Sequence, residues 1–74
     1  MFHFHFVFSD GLAYDVDNVH EITITIQKTH KSLSGDAILS ERLPLDDMFL
    51  YTDSGCVSIA GKNLLVIDVS KRVD

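Results

Sequence analysis

The chain has 74 residues, 46% of them hydrophobic, one Cys, and eleven acidic against six basic residues for a net charge of −5. A length of this order allows one domain with a thin core, burying roughly 60% of the surface its unfolded form exposes, and the apolar content excludes disorder. The lone Cys excludes an internal disulfide and multi-cysteine zinc arrangements and points to a reducing setting, while the acidic balance disfavours direct contact with DNA or RNA.

The first element is FHFHFVF, where Phe and His alternate as a strand with one apolar and one polar face. The alternation, and the absence of a positive leader or small-residue cleavage site, argue against a signal peptide. No run approaches the ~18 apolar residues of a membrane span. The expectation is a soluble, cytoplasmic protein.

The next residues, Ser9-Asp10-Gly11, form a turn with two readings. A two-residue loop sets Phe6 beside Asp15 and Phe4 beside Asp17, placing carboxylates on the phenylalanine face at a desolvation cost. A three-residue loop pairs Phe8 with Leu12, Phe6 with Tyr14 and Phe4 with Val16, with Gly11 in a left-handed bulge position. The second register is preferred. It sets His5 opposite Asp15 and His3 opposite Asp17 on the other face.

Asn18 follows as a corner, since Asn tolerates the left-handed backbone. Beyond it Ile22, Ile24 and Ile26 alternate with Thr23, Thr25 and Gln27 as a half-buried strand. Residues 30–47 read as a helical connector: Asp36 caps a short helix near 36–43 that turns Ile38 and Leu39 inward and ends at Pro44. Met48 to Tyr51 is a core strand, with Leu50 on its outward side as an interface candidate. Cys56, after the second Gly turn, reads as a small hydrophobe at the edge of the core. The continuous apolar run LLVIDV reads as a central strand.

The two ends of the chain carry a faint repeat. At an offset of 45, Tyr14 matches Ile59, Asn18 matches Asn63, Val19 matches Leu64, Ile22 matches Ile67 and Ile24 matches Val69. Upstream, FVFSDG matches FLYTDSG with an insertion in the second turn. The expected fold is therefore mainly β (α+β): one domain, 1–74, of about six mostly antiparallel strands in a small barrel or curled sheet. Units 4–26 and 49–71 are its candidate internal duplication.

The opposed His and Asp residues leave two readings open. One is a metal site, His3, His5, Asp15 and Asp17 with His20 beyond the corner, whose imidazole and carboxylate donors suit Zn²⁺. The other is a set of solvent-facing cross-strand pairs, each contributing roughly 0.2–1 kcal/mol. His30 is a more distant ligand candidate. Asp46, Asp47 and Asp53 lack the spacing of a calcium loop and read as solvated acidic residues available to a partner. No phosphate-cradling Gly loop, His-Glu-x-x-His motif or nucleophile elbow is present, so the chain does not read as an enzyme.

A compact, acidic chain starting at its own Met resembles, in size and charge, the accessory proteins of phages and prophages that include anti-CRISPR inhibitors. That resemblance implies an inhibitor that docks an acidic surface on a basic partner such as a CRISPR–Cas nuclease and hinders nucleic-acid loading. A non-catalytic protein-binding domain, which a zinc ion at the His and Asp cluster would stabilise if that reading holds, is thus the leading expectation. A homo-oligomeric assembly subunit is the alternative, and a small metal-dependent hydrolase the weakest of the three.

Overall fold

The structure, a computed structural model, describes residues 1–72. Six strands form one antiparallel sheet: β1 (Phe2–Phe8), β2 (Ala13–Ile26), β3 (Thr29–Ser34), β4 (Met48–Thr52), β5 (Gly55–Ile59) and β6 (Leu64–Lys71). A single helical turn, α1 (Ala37–Ser40), lies between β3 and β4. The strand order is β5-β4-β2-β1-β6, with β3 also paired to β2. The sheet curls around its core without closing, so the fold is a curled sheet rather than a barrel.

The first hairpin adopts the three-residue loop. The Phe8 N–H donates to the Leu12 carbonyl at 2.9 Å, Gly11 N–H donates to Phe8 at 3.0 Å, and Gly11 has φ 89°. Phe6 pairs with Tyr14 and Phe4 with Val16, as the apolar face requires. Phe2, Phe4 and Phe6 are buried, and the Phe4 and Phe6 rings stack with centroids 5.8 Å apart. Val16, Val19, Ile22, Ile24, Leu33, Ile38, Met48, Leu50, Ile59 and Leu64 complete the core, which among the described residues contains no buried polar or charged residue. Burying each large apolar side chain contributes roughly 1.5–3 kcal/mol against the entropy of ordering so short a chain.

Several local expectations are corrected. Asn18 is left-handed (φ 58°), as a corner needs, but it bends β2 without ending it. Phe2 pairs with Val19 and Phe4 with Val16, so an extra residue of β2 is absorbed as a bulge. The sixth strand is β3, within the stretch read as a helical connector. It returns through Gln27 (φ 50°) and Lys28 (φ 65°), the two positive φ values of a type I′ turn.

The second correction concerns LLVIDV, which lies at the edge of the sheet. Among the described residues β6 pairs only with β1, and Leu65 and Val66 are exposed. A register shift separates Leu64, which pairs with Phe8, from Val66, which pairs with Val7. Leu64 faces inward, the next two residues face out, and Ile67 and Val69 again pack on the core.

Thirdly, the helix is shorter than expected. Glu41 is already extended (ψ 145°), before Pro44, and Ile38 alone is buried while Leu39 faces solvent. Asp36 occupies the cap position without a capping hydrogen bond and instead pairs with Lys71 at 3.1 Å. Finally, Leu50 is fully buried and Phe49 is the outward residue of β4, while Cys56 is exposed rather than at the core edge.

The two ends of the chain share a pairing pattern. β1 pairs with the first half of β2 and with β6; β4 pairs with β5 and with the second half of β2. Phe6 lies between Tyr14 and Ile67, and Leu50 between Val57 and Ile22; Asn18 and Asn63 are both left-handed. This geometry sets Ile22 against Ile67 and Ile24 against Val69. It sets Tyr14 against Val57, not Ile59, and Phe6 against Leu50, not Phe49.

Candidate binding face

β1 lies between β2 and β6, so its outward residues are flanked from both sides. His5 stands opposite Asp15 of β2 and Asp68 of β6, and His3 stands opposite Ser70. This outer face, backed by the buried phenylalanines, gathers three carboxylates and two imidazoles across three adjacent strands.

Asp15 is the hub. Its Oδ1 is 2.7 Å from His5 Nδ1 and 2.9 Å from His3 Nε2, each ring donating an N–H in the matching tautomer. His5, first, and His3, second, hold the Asp15 carboxyl below its usual range. The expected pair of His3 with Asp17 is displaced by the bulge at Asn18. His3 leans onto Asp15, and its Nδ1 lies 3.5 Å from Asp17 Oδ1, an ion-pair distance without a hydrogen bond.

Asp17 Oδ1 accepts the backbone N–H of Asn18 at 3.0 Å and sits 3.6 Å from Arg72 Nε. The Asn18 N–H is the main cause that lowers the Asp17 carboxyl from its usual value, followed by the Arg72 charge. Both carboxylates therefore stay charged well into mild acid.

The other sequence candidates lie elsewhere. His20 is exposed, at the second register shift of β2 between Val19 and Glu21 against β4, and among the described residues no hydrogen bond or ion pair links it to His3 or His5. His30 is opposite Thr25 in the β2–β3 pair. Among the described residues, no three His, Cys, Asp or Glu side chains are grouped to hold a metal ion. One nitrogen of each ring, His3 Nε2 and His5 Nδ1, is turned onto the same Asp15 oxygen.

Asp46 and Asp47 are tied into local structure. Asp47 Oδ1 accepts the Gly61 N–H at 2.7 Å, and Asp46 Oδ1 accepts the Asp47 N–H at 2.7 Å. A side chain at Gly61 would run into the Asp46–Asp47 backbone, so this contact requires glycine. Asp53 is exposed in the β4–β5 turn.

Asp68 is the member of the face that sequence reasoning missed. Its alternation with Ile67 and Val69 marks it as outward-facing, but only the pairing of the chain's two ends places it beside His5. No helix among the described residues is long and apolar enough to cross a membrane. Comparison of the chain with protein-family models, curated proteins and solved structures finds no match.

Proposed function

We propose that the chain is a non-catalytic protein-binding domain that docks its acidic outer face on a basic protein surface, such as the nucleic-acid path of a CRISPR–Cas nuclease, and so hinders loading. The observation that carries the reading is the gathering of Asp15, Asp17 and Asp68 on one face of three neighbouring strands. A rigid strand platform presents charge with little loss of side-chain freedom, which favours fast, oriented encounter with an opposite surface.

Pull-down against a panel of nucleic-acid enzymes tests it. A complex formed at about 0.1 M salt and lost at about 0.5 M is expected, because screening shortens to a few ångströms. Replacing Asp15 and Asp68 together by Asn should weaken that complex at least tenfold. Retention at high salt, or indifference to the double substitution, would overturn the reading.

A second reading rests on the convergence of two imidazoles on Asp15 Oδ1. Zn²⁺ taken between His3 and His5, with Asp15 or Asp17 as the oxygen donor, would brace the β1–β2 pair. Metal content of untagged protein below about 0.2 ions per chain removes it, since a structural site is filled stoichiometrically.

A further inference from the structure

β2 is paired on both edges only along part of its length. β4 reaches it no further than Val19, so the stretch before Asn18 has β1 on one side and no strand on the other among the described residues. Among the described residues β5 likewise pairs only with β4. The two bare edges border one groove of about 460 Å³, lined by Leu12, Tyr14, Val57, Ile59, Ala60 and Lys62 among others. That volume is in the range of ligand-holding clefts.

The groove explains an otherwise odd exposure. Leu12 and Tyr14 share the inward face with Phe6 and Phe8, yet they are 67% and 51% exposed. They would be covered by a strand lying between β2 and β5. Because the Leu12 carbonyl accepts from Phe8, the alternation of an antiparallel pair turns Tyr14 and Val16 toward β1. The backbone N–H and C=O of Ala13 and Asp15 then point into the open side.

We propose that this seam takes an extended segment of a partner protein, with alternating apolar and basic residues, by strand addition. The inference rests on the protein-binding reading and assigns it a second surface. Unpaired backbone groups on the groove's edges are matched by an extended chain. Alternate side chains of that strand meet the apolar floor, and the others emerge beside Asp15, which is half exposed and held in its charged form. Opposite charge across adjacent strands is favourable, and like charge is not. A second copy pairing through its β6 edge would add a carboxylate, Asp68, to the face that carries Asp15.

The test uses the full chain, isotope-labelled for amide NMR, and an end-capped eight-residue peptide alternating Val and Lys. Binding should shift the amides of residues 12–15 and 55–60. It should weaken at least tenfold with Glu in place of Lys, with alternate backbone N-methylation, or with Tyr14→Lys, an exposed position that leaves folding intact. Asp68→Asn should leave peptide binding unchanged while weakening the docking of a folded basic partner, which separates this inference from the acidic-face reading.

The proposal is overturned by three results: no shifts at about 1 mM peptide, equal binding of the N-methylated peptide, or shifts confined to His3, His5 and Asp68. Concentration-dependent doubling of mass that broadens residues 12–15 without peptide also overturns it, and assigns the seam to a second copy.

Discussion

The two halves of β2 belong to one strand and alternate in the same way, yet they differ in what they bury. Ile22 and Ile24 have β3 on one side and β4 on the other, and neither is exposed at all. Tyr14 has β1 alone and remains half exposed. Periodicity thus states which face a residue takes, and the number of flanking strands decides how deeply that face is buried. The largest expected effect follows. Ile24→Ala should cost about 2–5 kcal/mol, enough to unfold much of a domain this small. Tyr14→Ala, by the same comparison, should cost under about 1 kcal/mol. Urea denaturation of both variants measures the difference, and equal costs would break the comparison.

A second contrast lies between the two left-handed or close-packed points where the halves are joined and braced. Gly61→Ala forces a Cβ into the Asp46–Asp47 backbone, and strain of this kind typically costs about 1–3 kcal/mol. Asn18→Ala places an ordinary residue at φ 58°, for about 1–2 kcal/mol, while Asn18→Gly should be near neutral. Thermal melts should order the variants Gly61→Ala, Asn18→Ala, Asn18→Gly from lowest to highest midpoint, with about 4–8 °C per kcal/mol in a domain of this size. If Asn18→Ala melts with the parent, the bend in β2 does not depend on that residue.

The same contrasts separate what was legible in the sequence from what was not. The first hairpin was legible because its two registers differ sharply in cost: one buries Asp15 and Asp17 among phenylalanines and the other does not. Local chemistry therefore selected the pairing of His5 with Asp15. The hairpin into β3 was not legible, because Gln27 and Lys28 adopt positive φ without the Gly or Asn that would announce it. The run LLVIDV misled because two of its apolar residues, Leu65 and Val66, face outward on an edge strand. Asp68 was hidden for a different reason: its neighbour is at the other end of the chain. Two of the three carboxylates of the acidic face, Asp15 and Asp17, belong to the first hairpin, and the third, Asp68, belongs to the pair β1–β6.

The smallest effect expected is the most specific to that face. Asp15 is solvated, but His5 and His3 lower its pKa from the ordinary 3.8. A carboxyl depressed in the folded state contributes stability that is present above the unfolded value and lost as pH falls through the folded one. The contribution should therefore be level at pH 5 and above and decline below about 3.8, where the unfolded chain already binds the proton. Asp15→Asn removes the carboxyl from both states, so its melting temperature should fall less steeply than the parent's across that acid window. Asp17→Asn should flatten the slope through a different partner, since the Asn18 N–H, rather than a histidine, is the main group holding that carboxylate. Replacing His5 by Gln should then flatten the Asp15 contribution while leaving that of Asp17 in place. Loss of both together would mean that the two carboxylates act as one coupled site through His3, the ring that reaches both.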